Sequence, residues 1–197
     1  MAHLNPLNAA DIEDADLQRM LKRYLDIRKF IPNSVLTMAR RPSIAKAFAQ
    51  LNQAILYEGT VPEETKMLVA LISSQASGCR YCQSHMANLS SIYKASDEKI
   101  AHLWEFESNA LFSPAERAAL RVGMKAGQLP NECDADDFTA LKEHWDEGQI
   151  VEIVASIGLF GYLNRWNDTM ATQLEEYPEG VAERTLGGWG WEPGKHV

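Results

Sequence analysis

A chain of 197 residues with a formal charge of -8 and no Lys/Arg block can fill one sizeable core but repels phosphate backbones, which argues against a nucleic-acid role. Its 46% hydrophobic and 23% charged residues mark a folded rather than a disordered chain. The longest apolar-leaning run, Ile150 to Leu163, is short and interrupted by Glu152, and the acidic start Met1 to Asp16 lacks the order of a secretory signal. With an odd, low count of three cysteines, a reducing, cytoplasmic setting is expected, with no membrane partner.

Taken in chain order, the periodicity is helical almost throughout. Leu17, Met20, Leu21, Tyr24 and Leu25 recur at spacings of three and four, the stripe of an amphipathic helix. Pro32 separates it from a short helix ending near Arg40. Pro42 sits where a first-turn proline belongs and opens Ser43 to Tyr57, with Gly59 as the stop. Glu63 to Ala76 is the next predicted helix, and Gly78 breaks it. Cys79 to Tyr93 and Ser96 to Phe106 follow. Ser113-Pro114-Ala115-Glu116 joins a capping box to a first-turn proline and starts a helix reaching about Ala126. Asp134 to Trp145 and the long apolar Gln149 to Glu175 complete the series. No alternating β-branched run bounded by hairpin turns competes with this reading. The expectation is one all-α domain over residues 1–197, of roughly eight to nine helices. Residues 1–16 and 178–197 are expected as flanking arms, the latter a loose end or an arm whose Trp189 and Trp191 pack on a neighbouring subunit.

The chemistry concentrates in Ser77-Gly78-Cys79-Arg80-Tyr81-Cys82-Gln83-Ser84-His85-Met86. At about 100° per residue, Cys79 and Cys82 lie roughly 60° apart around a helix axis, and His85 follows one turn on, so the three form a stripe. A thiol at a helix start is favoured as thiolate by free N–H groups and the dipole. An imidazole one turn away can take a thiol proton, and two sulfurs one turn apart can close a disulfide. Such a pair can attack and then resolve on a peroxide or disulfide. Cys79, Cys82 and His85 are therefore the catalytic candidates. Ser74 and Tyr81 are supporting candidates, Tyr81 weighed against plain packing. Zinc is a rival reading, with Cys133, His102 or His144 as a fourth ligand, but tetrahedral sites usually draw on two ligand clusters and no second one exists here. No metal or cofactor is therefore expected. Asn164, Arg165, Asn167 and Asp168 interrupt an apolar helix and are expected to brace the cysteine helix or a subunit contact. Cys133, flanked by acids, is read as a bystander.

At these residues the sequence resembles the AhpD-like, or carboxymuconolactone decarboxylase-like, family, and within it the peroxidase-related members. The resemblance rests on Met67 to Asn88, with "SGCRYCQSHMAN", and on Gln149 to Thr169, with "GLFGYLNRWNDT". It implies an AhpD-like all-α fold around a central helical hairpin, usually as a homo-oligomer. It implies reduction of a small peroxide or disulfide, recharged by an external dithiol of thioredoxin-like or lipoyl type. By the same likeness Cys82 attacks and Cys79 resolves, whereas position at the helix start favours Cys79 for the lower pKa. The sequence departs from the hydroperoxidases at two positions: Met67 stands where they carry a relay glutamate, and Met86 where they carry the histidine, His85 coming one residue earlier. Glu64, one turn before Met67, is the substitute carboxylate, weighed against a solvated first-turn role. These departures also motivate the alternative of a non-catalytic helical oligomerisation protein on the family scaffold.

Overall fold

The structure is a computed structural model that describes residues 1–197. It contains ten α-helices and no strand. They are α1 (Ala15–Arg28), α2 (Asn33–Met38), α3 (Pro42–Tyr57), α4 (Glu63–Ala76), α5 (Arg80–Ile92), α6 (Asp97–Ala101), α7 (Pro114–Gly127), α8 (Ala135–Lys142), α9 (Glu147–Met170) and α10 (Glu176–Leu186). The all-α reading holds, and side-chain caps explain where half of the helices start. Ser113 and Glu116 form the capping box of α7, Asp134 caps α8 and Asp146 caps α9 through the backbone of Gln149.

The hairpin α4–α5 is the centre. Helix α4 packs against α3, α5, α7 and α9. From Thr65 to Ser74 every side chain of α4 is buried, and so is every one from Tyr81 to Ser90 in α5. Helix α4 is buried on all faces over this stretch, whereas α9 reads as apolar on several sides because its exposed face also carries apolar residues, Val151, Val154 and Tyr162.

Two expectations about the ends need correction. The segment 178–197 is not a loose arm: α10 packs on α5 and α6, and Trp191 and His196 are buried within the chain. Pro178 sits in the first turn of α10, where its missing N–H costs nothing. The second correction concerns α9, expected to run to Glu175. It stops at Met170 because Ala171 turns left-handed (φ 47°), and Thr172 N–H donates back to Asn167 O at 3.1 Å. Leu174 is then pinned by the carbonyl of His196 at 2.8 Å. Glu175 therefore leaves the helix and stands at the N-cap position of α10, its side chain free of any capping bond. The N-terminal residues are extended with a single 3-10 turn at Ala9–Asp11, and His3 N–H and Leu7 N–H donate to Met170 O and Leu36 O. No helix is long and apolar enough to cross a membrane.

Candidate functional site

The turn that builds the site is Ser77-Gly78-Cys79. Gly78 has φ 77°, a region L side chains rarely adopt, and it reverses the chain between α4 and α5. Cys79 is then the N-cap residue of α5. Its N–H donates to Ser74 O at 3.2 Å and its carbonyl accepts from Gln83 N–H at 3.0 Å. Cys82 falls in the first turn. Both cysteines are free thiols and both are 1% exposed.

Burial dominates the electrostatics of Cys82. It pushes the thiol well above its ordinary value, and the neighbouring Cys79 pushes the same way. Asn167 opposes this, donating Nδ2–H to Cys82 Sγ at 3.4 Å from α9. The bracing role expected of the α9 polar cluster is thus met by Asn167. Asp168 instead pairs with Lys195 at 2.9 Å, outside the site.

His85 lies one turn after Cys82, and both line one small chamber. The imidazole is held firmly. Nε2 meets Glu175 Oε2 at 2.7 Å, the ring stacks on Tyr81 with centroids 4.3 Å apart, and Phe30 meets it edge-on at 5.8 Å. A carboxylate at Nε2 favours the proton there, so in the neutral ring Nδ1 is the acceptor. Tyr81 is more than packing: its hydroxyl donates to Glu175 Oε1 at 3.0 Å and accepts from Ser34 N–H at 3.3 Å. Burial, then the charge of Glu175, keeps that phenol protonated. Burial alone would raise the Glu175 carboxyl. The attraction of His85, its hydrogen bond and that of Asn33 N–H outweigh it, leaving the carboxyl below its ordinary value.

Glu175 is the residue that sequence reasoning missed. It stands 90 residues from His85, was expected inside a helix, and left no local signal. Of the two roles weighed for Glu64, the structure shows the solvated first-turn one, and the carboxylate does not reach the site. Glu64 Oε1 pairs with Lys99 Nζ at 2.8 Å, and Lys99 also holds Glu116 at 2.6 Å, an ion-pair cluster remote from the chamber. Its place in the first turn of α4 fits the dipole and aims it outward. Met67 is fully buried in the core. Ser74 contributes through its backbone carbonyl, which accepts from Cys79 and from Gln83 Nε2, not through its hydroxyl. Cys133 is half-buried on α7–α8 with its thiol raised by burial and then by Asp137. No group of three His, Cys, Asp or Glu side chains stands at metal-binding spacing.

The chamber has a volume of about 30 Å³, room for one or two water-sized molecules. Its walls are largely apolar: Phe48, Met86, Phe160 and Leu163 face Cys82, His85 and Asn167. A cleft of about 190 Å³ between α1 and α3 adjoins it, sharing Tyr24, Arg28 and Asn52 as common wall.

The family profile described as the Carboxymuconolactone decarboxylase family matches residues 42–123, from the start of α3 into α7, and includes both cysteines and His85. The debrominase Bmp8 is 32% identical to this chain, with a TM-score of 0.85 over 92% of this chain and 96% of that one. The chain belongs to the AhpD/carboxymuconolactone decarboxylase-like family. A cysteine-to-alanine variant of Bmp8 in complex with 2,3,4-tribromopyrrole matches equally well, at 31% identity and a TM-score of 0.86. The AhpD-core, peroxidase-related protein of Ralstonia eutropha JMP134 shares the fold, with a TM-score of 0.79 at 24% identity over 90% of this chain and 94% of its own. In sequence, YdfG of Bacillus subtilis (strain 168) is 25% identical over 111 residues, 56% of this chain and 74% of YdfG. This AhpD-like family includes enzymes, and its members here span debrominase and peroxidase-related descriptions.

The depressed carboxyl of Glu175 has a measurable consequence. A group whose folded pKa lies below its unfolded value stabilises the fold above the ordinary carboxylate pKa of about 4.3, and that contribution is lost as pH falls through the folded value. Glu175→Gln is therefore expected to flatten the acid limb of a Tm-against-pH curve between about pH 5 and 3. A variant curve that parallels the wild type would show that Glu175 carries no such linkage.

Proposed function

We propose that this protein is a thiol-dependent two-electron reductase of small molecules, an antioxidant-type enzyme in which Cys82 attacks and Cys79 resolves. The observation that carries the reading is that Cys82, braced by Asn167, faces the same chamber as His85, while Cys79 sits behind it at the start of α5. Because burial raises the Cys82 thiol, a base must take its proton, and His85 Nδ1 is the candidate acceptor. Glu175 offsets the imidazolium that results and Tyr81 orients the carboxylate. Tyr81 and Glu175 are thus positioning residues in this reading.

With a hydroperoxide, the Cys82 thiolate takes one peroxide oxygen and the O–O bond breaks. The departing alkoxide recovers the proton from His85 and leaves as alcohol. Cys79 then condenses with the Cys82 sulfenic acid, forming the S–S bond and releasing water. An external dithiol of thioredoxin-like or lipoyl type returns two electrons and two protons. The small chamber and the 1% exposure of Cys82 favour a small peroxide or disulfide over a protein disulfide.

A second reading has its own support in the 32% identity to a debrominase and in the larger cleft that adjoins the chamber, which Tyr24 and Tyr57 line. It is reductive dehalogenation: a bromoarene and two thiols give the arene, bromide, a proton and the Cys79–Cys82 disulfide. Both readings consume two thiols per turnover. Alkylation and mass spectrometry after one equivalent of hydrogen peroxide, or of a bromopyrrole, is expected to show loss of two thiols and a Cys79–Cys82 link. Bromide release separates the second reading from the first. Retention of all three thiols with both oxidants would leave the family scaffold as a non-catalytic assembly module. A homo-oligomer is part of the proposal, with the exposed apolar Ile44 and Leu51 of α3 and Tyr162 of α9 as its candidate face. Sedimentation velocity checks it.

A further inference from the structure

Arg28 is the last residue of α1 and is only 8% exposed, yet no carboxylate neutralises it. The groups facing its guanidinium are phenols: Tyr57, whose hydroxyl accepts from one Nη at 3.3 Å, then Tyr24, whose ring centre lies 5.4 Å from Cζ, and Tyr81. The other N–H groups of the fork have no acceptor in the chain. A cation in the last turn of a helix is ordinarily explained by the dipole, but that reward is available to an exposed side chain and does not require burial. Burying a guanidinium without a counter-charge is costly, and an acceptor with negative charge is what would offset the cost.

The cleft beside it points the same way. Its lining holds Arg23 and Arg28 and not one acidic residue, on a chain that carries 27 Asp and Glu against 19 Lys and Arg. Arg28 is also common to this cleft and to the chamber that Cys82 faces. We infer that Arg28 is an anion anchor, and that the cleft takes a small aromatic molecule bearing a carboxylate or an ionised ring N–H or O–H. The ionised group sits on the guanidinium fork, and the ring lies against Tyr24, Ile27 and Tyr57. The fork matches a planar, delocalised anion in a way a lysine ammonium does not. The anchor sits at the junction of the two spaces, so the molecule it holds has its ionised end at the border of the chamber that Cys82 lines. That the molecule is a substrate rests on the reductase reading; that an anion binds at Arg28 does not.

The test uses the reduced full-length protein with benzoate and its neutral isostere benzamide, read by calorimetry or by chemical-shift perturbation. Benzoate is expected to bind about tenfold or more tighter than benzamide, and Arg28→Gln to bring the two within about twofold. Arg28→Lys, which keeps the charge but not the fork, is expected to fall between them, and it carries the test if the glutamine variant does not fold. Equal binding of the two probes by wild type, a preference unchanged in the Arg28 variants, or no benzoate binding at millimolar concentration overturns the anchor. Peroxide or bromide assays run beside it keep the two ideas apart. Turnover without anion preference removes the anchor alone, and anion preference without any thiol turnover removes the reductase reading alone.

Discussion

Cys82→Ser is expected to abolish reductive turnover, by about 10³-fold or more, while leaving the fold in place. Serine keeps the shape of the side chain, and its oxygen can still accept from Asn167 Nδ2, so little packing is lost. What disappears is the polarisable nucleophile, and with it both the attack step and the disulfide that ends the cycle. Cys79→Ser should behave differently. Cys82 can still attack once, but nothing stands beside it to resolve the product. A single equivalent of oxidant is then expected to be consumed per chain in a burst, followed by arrest, with a Cys82 adduct visible by mass spectrometry. The contrast between no burst and one burst is the signature of the assigned order. If the two variants exchange behaviours, Cys79 is the attacking sulfur, as position at the helix start alone would suggest. Full steady-state activity in Cys82→Ser would remove the reductase reading, whatever the behaviour of Cys79.

Much of this was legible because it is local. Capping residues, first-turn prolines and the three-and-four spacing of Leu17, Leu21 and Tyr24 act within one or two turns; they reveal α1 and mark α3, α4 and α7 to within about a residue or two. The cysteine stripe was legible for the same reason: 3.6 residues per turn fixes Cys79, Cys82 and His85 relative to one another wherever the helix lies. Glu175 and Arg28 were not legible, because each acquires its meaning from a distant segment. Glu175 matters only because Ala171 adopts a left-handed conformation that neither a glycine nor an asparagine announces, turning the chain back onto α5. Arg28 reads as an ordinary last-turn cation until α3 is laid beside α1. Glu64 shows the limit from the other side. Its first-turn place favours a solvated role, and Lys99 of α6, shared with Glu116 of α7, holds it outside the site. Position along a helix gives a side chain's angle on that helix; only packing says what the angle faces.

The largest stability effect should come from a residue that touches no part of the chemistry. Lys66 of α4 is 1% exposed, and its ammonium donates to Ile55 O at 3.0 Å, to Glu58 O, and to Glu152 Oε2 at 2.7 Å. These acceptors are the free carbonyls at the end of α3 and one carboxylate from α9. Glu152 in turn accepts from Thr60 N–H at 2.9 Å and Val61 N–H at 3.1 Å. The pair therefore ties the α3–α4 turn to the long helix. Removing the carboxylate leaves the buried Lys66 ammonium with two carbonyl acceptors but no counter-charge, a cost of about 1.5–3 kcal/mol. Glu152→Ala is expected to lose about that much in urea unfolding, whereas Glu152→Gln, which keeps an acceptor for the backbone N–H groups, should lose less. The carboxyl itself points to an acid dependence. Burial raises it, but Lys66 and the two N–H groups lower it further, so the stabilisation is complete above the ordinary carboxylate range and lost as pH falls through the folded pKa. Gly59 provides an independent route to the same clamp. Its φ of 90° is strained for any side chain, and a Cβ there would fall on the Glu152 carboxyl group. Gly59→Ala is thus expected to destabilise strongly in the wild type and clearly less in a Glu152→Ala background, where the collision is already gone and only the backbone strain remains. Additive losses in the double variant would show that the glycine is required by its backbone conformation alone and not by the clamp.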